Sequence, residues 1–204
     1  MAEEKLLLAE FLELANKLKS TKRTGWADRK VPDSESIADH SWRVALMAML
    51  LAKRFGIDSE KAMKMGLLHD LPEAITGDIS RDHIEEYGSA IGIKPDTTEK
   101  QKIAGEKKAI VQIAGLLGKK NRKEIVSLWK EFEEKKTKTA IFVKDIDKLE
   151  CMLQALEYKQ AHPQNKLLDD FYYWHKKHGK INNPELKKIA SNVMLEFEEL
   201  MRGK

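Results

Sequence analysis

Apolar residues recur at the spacing of an α-helix through almost the whole chain, and the alternation typical of a β-strand persists nowhere. In the first periodic segment, Leu7, Phe11, Leu14 and Leu18 fall on one helical face. Further helices are predicted over residues 34–56, 59–70, 99–117, 121–134, 137–161, 166–177 and 184–201. We therefore predict an all-α fold in which residues 1–204 form a single helical domain. The polar stretch 77–98 is predicted to be mobile, with a short helix at 81–87.

The charge of the chain excludes some classes of partner. The formal net charge is +4, and lysines alternate with glutamates instead of forming the basic stripe that is typical of nucleic-acid binding. No apolar run approaches the ~18–20 residues that a membrane-spanning helix needs. We therefore expect neither a nucleic-acid nor a membrane partner, while the mild positive excess permits an anionic substrate. The single cysteine, Cys151, rules out an internal disulfide and favours a reducing compartment, so we expect a cytoplasmic protein.

The stretch MGLLHDLPEAITGDI, residues 65–79, begins as an apolar helix and then turns acidic. His69, Asp70, Glu73 and Asp78 follow one another within ten residues. Burying a carboxylate without a partner costs roughly 2 kcal/mol, or far more if the group stays ionised, so these side chains need a partner. A divalent cation beside a neutral imidazole and a carboxylate would supply the missing charge. Pro72 cannot donate to the helical ladder and is expected to kink or restart the helix.

Two histidines lie on core-facing helical stripes. His40 shares its stripe with Val44 and Met47, and His69 continues the stripe of Met65 on the next helix. A lone histidine in such a position is more often a core residue that is satisfied by a backbone carbonyl. Two inward-facing histidines on consecutive helices favour a shared site instead, because antiparallel neighbours bring such faces together.

An acidic residue in the apolar helix TAIFVKDIDKLECMLQALEY could complete such a site. Asp145 lies nearer the main apolar stripe, which contains Ile146 and Leu149. Asp147 lies on a flank that is also partly apolar, so the helix could be buried on two sides. Periodicity leans towards Asp145 but leaves the choice between the two carboxylates open.

The segments ESIADHSWRVA, LLHDLPEAITGDI and FVKDIDKLECMLQALEY occur in the order seen in the HD-domain phosphohydrolases. The chain resembles this family, and more closely its 5′-deoxynucleotidase branch, over roughly residues 20–175. The resemblance implies an HD-type helical bundle that binds a metal. It favours Asp147 over Asp145, and the full set of ligands that it implies is His40, His69, Asp70 and Asp147.

The resemblance also implies roles for residues around the metal. Glu73, in the motif HDxxE, would position or deprotonate the attacking water, although by itself it could be a first-turn residue that interacts with the helix dipole. Asp78 would accept a hydrogen bond from the sugar 3′-hydroxyl and help to exclude a 2′-hydroxyl; its alternative role is a cap. Trp26 would line the nucleoside pocket, or else pack on the core as a lid. The phosphate would be held by Arg23 of RTGW, with Arg29 as its competitor.

Together with the resemblance, these residues predict a metal-dependent phosphomonoesterase that hydrolyses deoxyribonucleoside 5′-monophosphates. Mixed nitrogen and oxygen ligation suits Co, Mn, Ni, Fe, Zn or Mg and does not choose among them. The alternatives are another HD reaction, on a cyclic phosphodiester or a nucleotide pyrophosphate, and a non-catalytic nucleotide-binding regulator. Members of the family are commonly dimeric, which implies a homodimer. His175 and His178 are expected to be exposed at a helix end, and His83 and His162 receive no role.

Overall fold

The computed structural model of the chain describes residues 2–79 and 95–203. Throughout these two ranges the regular elements are helices, and the strand-like pairing there is an isolated bridge between Lys22 and Ser36. The all-α prediction is therefore confirmed. The short helix expected at 81–87 lies outside the described residues.

Within each described range, the helices follow one another with short connections. Among them, none is long and apolar enough to cross a membrane. The turns Ala52–Phe55 and Lys166–Leu168 are 3₁₀ helices. The α-helices are α1 (Ala2–Lys17), α2 (Thr24–Asp28), α3 (Ile37–Leu51), α4 (Ser59–Leu68), α5 (Glu73–Thr76), α6 (Pro95–Gly115), α7 (Lys119–Glu134), α8 (Lys138–Ala161), α9 (Asp169–His178) and α10 (Pro184–Met201).

The start of α3 is fixed by a reciprocal cap. The backbone N–H of Asp39 donates to the Ser36 hydroxyl at 3.2 Å, and the backbone N–H of Ser36 donates to the Asp39 carboxylate at 2.8 Å. The helix is shorter than the predicted 34–56, because it ends at Leu51 and tightens into a 3₁₀ turn. Gly56 closes this turn with a φ of +66°, as expected of a residue just beyond a helix end. The cap thereby sets the register of the helix that carries the first predicted ligand.

Helices α3 and α4 approach each other more closely than ordinary side chains would allow. A Cβ atom on Gly66 of α4 would lie only 3.1 Å from the Cα and N atoms of Ala45 on α3. A glycine at this position therefore permits close backbone packing. The ring centroids of His40 and His69 consequently lie 5.3 Å apart, so the two histidine-bearing stripes face each other as predicted.

The helical path breaks between α4 and α5, where the sequence places Pro72. Helix α4 ends at Leu68 and α5 begins at Glu73. The backbone N–H of Leu71 donates to the Leu68 carbonyl at 3.1 Å, and that of Glu73 donates to the Asp70 carbonyl at 3.0 Å, so turns replace the α-helical ladder here. The predicted restart is confirmed, and it places an adjacent histidine and aspartate at the end of a helix instead of within one.

Helix α8 is buried on more than one face. Its apolar residues Ile146 and Leu149 belong to the core, and Asp145 beside them is also fully buried. The Asp145 carboxylate accepts hydrogen bonds from the backbone N–H groups of Asn182 and Asn183, at 3.0 and 2.8 Å, and from the Asn182 side chain. Periodicity was therefore right that Asp145 faces inward. Because the Asp145 carboxylate binds the backbone that precedes α10, Asp145 stabilises the fold.

Candidate active site

Four side-chain atoms from three parts of the fold converge. The Nε2 atom of His40, on α3, lies 3.2 Å from Oδ1 of Asp147, on α8, and 3.8 Å from Oδ2 of Asp70. The Nε2 atom of His69 lies 3.1 Å from the same Asp70 oxygen and 3.9 Å from the Asp147 oxygen. The structure thus brings together the four residues that the resemblance implies as ligands.

Both histidines are held in the tautomer that suits a metal ligand. The Nδ1–H of His69 donates to the carbonyl oxygen of Gly66 at 2.7 Å. The Nδ1 atom of His40 lies 2.5 Å from Oε2 of Glu150. Because each Nδ1 atom is engaged, each Nε2 atom is left facing the carboxylates and is the atom that could bind a metal. Both Nε2 atoms are buried, and neither has a hydrogen-bond partner among the described residues.

The spacing of His40, His69 and Asp147 fits one divalent cation, since each offers a ligand atom within 4.8 Å of those of the other two. Asp70 lies beside this group, with its Oδ2 atom 3.1 Å from Nε2 of His69. A cation about 2.1 Å from each ligand separates neighbouring ligands by about 3.0 Å at right angles and about 3.4 Å in a tetrahedron. The observed separations run from 3.1 to 3.9 Å. Two imidazoles and two carboxylates also form the mixed nitrogen and oxygen donor set that divalent transition metals accept. The residues present therefore fit a metal centre.

The electrostatics of the cluster favour a cation as well. Burial and the charge of Arg23 lower the pKa of His40, but Glu150 and Asp147 outweigh both and raise this pKa to about 10. Burial raises the pKa of Asp147, but His40, His69 and Lys144 together outweigh burial and lower the pKa below its ordinary value. The carboxylates thus remain ionised, and together they attract positive charge to the space between them. A bound divalent cation would supply that charge.

Behind His40 lies a carboxylate that the sequence analysis did not single out. Glu150 is fully buried, and its second oxygen accepts a hydrogen bond from Nε of Arg43 at 2.8 Å. Arg43 also donates to Glu157 at 2.9 Å. A carboxylate in this position orients a metal-binding imidazole and fixes its tautomer. Helical spacing gives no hint of the pair, because His40 and Glu150 are 110 residues apart in the chain.

Replacing Glu150 is expected to weaken metal binding without removing a ligand. In Glu150→Gln, a neutral amide replaces the carboxylate that serves both His40 and Arg43. We expect the affinity for a divalent cation to fall about 10–100-fold, as for other losses of a carboxylate behind a metal-binding histidine. Calorimetric titration of the metal-free protein with Mn²⁺ measures this change. Glu157→Gln is the matched control, since Glu157 binds the same arginine but is 55% exposed, and it should leave the affinity unchanged. Equal affinities in the two variants would contradict the role of Glu150.

A cavity of about 540 Å³ adjoins the cluster and contains Glu73 in its wall. The Glu73 side chain is almost fully buried, and its Oε1 atom lies 3.6 Å from the ammonium nitrogen of Lys102. Its Oε2 atom has no hydrogen-bond partner in the described part of the chain. Burial and the charges of Asp70 and Asp78 raise the pKa of Glu73, and the charges of Arg23 and Lys102 oppose them only in part. A carboxylate with a raised pKa and an unengaged oxygen is suited to accept a proton from water.

Lys102 and Glu106 form a second charged pair in the cavity wall that sequence reasoning missed. They are four residues apart on α6, with their charged atoms 2.8 Å apart. The spacing is visible in the sequence, but it does not distinguish this pair from ordinary surface pairs such as Glu60 and Lys64. What distinguishes Lys102 is the fold, which places it beside Glu73.

Of the two candidate arginines, Arg23 lies against the ligand cluster. Its Nη1 atom donates to Oδ2 of Asp70 at 3.0 Å, and its Nη2 atom lies 3.7 Å from Sγ of Cys151. Arg29 donates to the Gly25 carbonyl at 2.8 Å. Both guanidinium groups line the cavity, but the contact with a predicted metal ligand belongs to Arg23.

Asp78 also lines the cavity, and its hydrogen bonds fix the start of α2, the short helix that contains Trp26. Its Oδ2 atom accepts a hydrogen bond from the backbone N–H of Thr24 at 2.7 Å, and the Thr24 hydroxyl donates to the Asp78 carbonyl at 2.7 Å. These bonds tie the segment after α5 to the start of α2. One carboxylate oxygen is therefore engaged by the backbone.

Trp26 is part of the core and offers little free surface. Only 3% of the residue is exposed, although it lines the cavity at one edge. Its indole N–H donates to Glu35 at 2.8 Å, and its ring packs 5.3 Å from Tyr158 and 5.0 Å from Phe171, measured between centroids. Of the two alternatives, the geometry corresponds to packing on the core.

The histidines of WHKKHGK differ from their expected setting. His178 is exposed, as predicted, but His175 is only partly exposed and both of its ring nitrogens are buried. Both residues line the cavity, together with Trp174. His162 ends α8, and His83 lies outside the described residues.

Comparisons with known proteins agree with this geometry. The family described as "HD domain" matches residues 15–191. A protein named 5′-deoxynucleotidase HDDC2 from Dictyostelium discoideum is 38% identical over 190 residues, which cover 89% of this chain and 93% of that protein. The human protein of the same name is 36% identical over 190 residues, which cover 93% of this chain and 85% of that protein.

A solved structure of similar fold is that of the PH0347 protein from Pyrococcus horikoshii. It is 31% identical and superimposes with a TM-score of 0.68 over 94% of this chain and 99% of that chain. The motifs, the arrangement of the four ligand residues and these similarities point to one conclusion. The chain belongs to the HD-domain family, among relatives that are named 5′-deoxynucleotidases.

Proposed function

We propose that the chain is a metal-dependent phosphomonoesterase that hydrolyses deoxyribonucleoside 5′-monophosphates to a deoxynucleoside and inorganic phosphate. The observation that carries this proposal is the meeting of His69, Asp70 and Asp147 with Glu73 and Arg23 in one cavity. A cavity of about 540 Å³ is of a size that takes a nucleotide, since small-molecule pockets measure about 300–1,000 Å³. The relatives named 5′-deoxynucleotidase support the same substrate class.

The residues that would hold the metal are His40, His69, Asp70 and Asp147. When bound, a divalent cation polarises a phosphoryl oxygen and promotes the ionisation of water. The donor set is compatible with Co, Mn, Ni, Fe, Zn or Mg. Glu150 and the carbonyl of Gly66 keep the two imidazoles oriented towards this position.

Glu73 acts as the proton acceptor of the reaction. The oxygen of a water molecule forms a bond to phosphorus while its proton passes to Oε2 of Glu73, the oxygen without a partner among the described residues. The bond between phosphorus and the 5′-oxygen breaks, and the leaving oxygen takes up a proton from the solvent to become the 5′-hydroxyl, while Glu73 returns its proton to the solvent. Lys102 offsets the negative charge of Glu73 before the transfer.

Arg23 binds the phosphate group, and Asp78 recognises the sugar. A guanidinium presents parallel N–H donors that match phosphate oxygens, and Asp70 holds that of Arg23 beside the ligand cluster. The Asp78 carboxylate, fixed by Thr24, accepts a hydrogen bond from the 3′-hydroxyl. A close fit at this carboxylate disfavours a 2′-hydroxyl, which explains a preference for deoxyribose.

Phosphate release from dAMP and AMP tests the proposal. The protein is stripped of metal, reconstituted separately with each divalent ion, and given the two nucleotides in parallel. We expect metal-dependent release of phosphate from dAMP well above that from AMP, with little dependence on the base. Binding of dAMP without release under any metal would leave the regulator as the function. Release only from a cyclic phosphodiester or a nucleotide pyrophosphate would identify another HD reaction.

We also propose that the chain forms a homodimer and acts in the cytoplasm. Trp42, Met49 and Leu50 lie on one face of α3 and are 62%, 40% and 65% exposed, and such an apolar patch favours burial against a second copy. The single thiol of Cys151 suits a reducing compartment. Sedimentation of Trp42→Glu beside the wild type tests the dimer, because a monomer in both would contradict it. Cell fractionation tests the location.

A further inference from the structure

One wall of the cavity is aromatic and lies outside the charged cluster. The ring centroids of Phe171 and His175 on α9 are 4.0 Å apart, and those of Trp174 and His175 are 4.9 Å apart. The ring of Trp174 also lies 5.2 Å from that of His178, which is exposed. All four rings line the cavity. The end of α9 therefore presents a continuous aromatic surface to it.

Contacts on the cavity wall connect this surface to the metal cluster. Arg23 contacts Asp70 through one nitrogen and Cys151 of α8 through the other. Trp26, three residues further along the chain, packs its ring 5.0 Å from that of Phe171. Arg23 and Trp26, from one short segment, thus contact the ligand cluster and the aromatic surface respectively.

We propose that this aromatic surface, with Trp174 at its centre, is the subsite that stacks the nucleobase of the substrate. The inference rests on the proposed function and adds where the base binds. A planar heterocycle stacks on aromatic side chains through its π-face, and such stacking tolerates any base. The cavity thus carries both kinds of surface that a nucleotide needs, with the charged cluster for the phosphate and the rings for the base.

The indole of Trp174 and the ring of the neighbouring Tyr173 have different surroundings. The indole nitrogen of Trp174 is buried and lacks a hydrogen-bond partner in the described part of the chain. The neighbouring Tyr173 differs sharply, because it is 62% exposed and is not part of the cavity wall.

Two substrates that differ only in the base test the subsite. The wild type, Trp174→Ala and Tyr173→Ala are compared on dAMP and on 2-deoxyribose 5-phosphate, which has the sugar and phosphate but no base. We expect Trp174→Ala to raise KM for dAMP about tenfold, as for the loss of one stacking platform. The value of kcat and the turnover of the sugar phosphate should stay as in the wild type. Tyr173→Ala should leave both substrates unaffected, and Trp174→Phe should restore most of the affinity for dAMP.

The outcomes separate this inference from the proposed function. An equal rise of KM for both substrates in Trp174→Ala, or no change for either, would overturn the base subsite while leaving a working enzyme. If the wild type releases no phosphate, equilibrium binding of dAMP takes the place of KM. A Trp174-dependent preference for dAMP over the sugar phosphate would then still support the subsite, and its absence would overturn it. Thermal melting of each variant shows whether the fold is intact.

Discussion

Asp147→Asn is expected to remove tight binding of the divalent cation and to lower phosphate release from dAMP by about 10³-fold or more, since a metal contributes several kcal/mol to the stabilisation of a transition state. The Oδ1 atom of Asp147 lies 3.2 Å from Nε2 of His40 and 3.9 Å from Nε2 of His69. An amide at this position keeps the shape of the side chain but loses the charge that attracts the metal. Elemental analysis of the purified variant and initial rates with added metal measure the two effects.

Asp145→Asn is the matched control, because it lies two residues earlier on the same buried helix. Its carboxylate accepts hydrogen bonds from the backbone before α10 and makes no contact with the ligand cluster among the described residues. We expect this variant to bind metal normally while its free energy of unfolding falls by about 2–4 kcal/mol, since hydrogen bonds to a buried charge contribute about 1.5–3 kcal/mol each. The two variants should thus show opposite defects. If Asp147→Asn binds one cation as tightly as the wild type does, the ligand assignment is wrong.

The contrast between these aspartates shows how far the sequence alone could go. Periodicity identifies which residues face the core, and both Asp145 and Asp147 lie on a helix that is buried on more than one side. It carries no information about what covers each face. Only the fold shows that the backbone of Asn182 and Asn183 meets one carboxylate and that two histidines meet the other. The resemblance implied Asp147 as the ligand, and its Oδ1 atom lies 3.2 Å from Nε2 of His40.

Other parts of the site were beyond the sequence for a similar reason. Glu150 contacts His40 across 110 residues, and no local pattern predicts a contact at such a separation. Whether Trp26 is buried or free depends on Tyr158 and Phe171, two residues of later helices whose rings pack against its ring. His175 was expected at an exposed helix end, but its ring turns onto Phe171 at the cavity wall. Helices and their breaks were predictable because they depend on neighbouring residues, whereas these contacts depend on packing between distant helices.

Glu73→Gln is expected to lower kcat about 10²–10⁴-fold, the usual contribution of a general base, while leaving metal content unchanged. Glu73 is not one of the four residues that would bind the metal, so its replacement need not disturb them. Glutamine has nearly the same shape but cannot accept the proton of the attacking water. Because burial and the charges of Asp70 and Asp78 raise the pKa of Glu73, wild-type activity should fall as the pH falls through this raised pKa and the base becomes protonated. The variant should lose this acidic limb of its pH profile.

Glu106→Gln separates a role in proton transfer from the mere loss of a buried charge. Glu106 is also nearly buried and binds the same lysine, at 2.8 Å, but this carboxylate has a partner where Oε2 of Glu73 has none among the described residues. We expect Glu106→Gln to reduce kcat less than about tenfold and to keep the acidic limb of the pH profile, as is usual for a group outside the proton transfer. Steady-state rates of both variants on dAMP, with metal content measured in the same samples, make the comparison. Equal losses in the two variants, or an unchanged pH profile in Glu73→Gln, would mean that a different group accepts the proton.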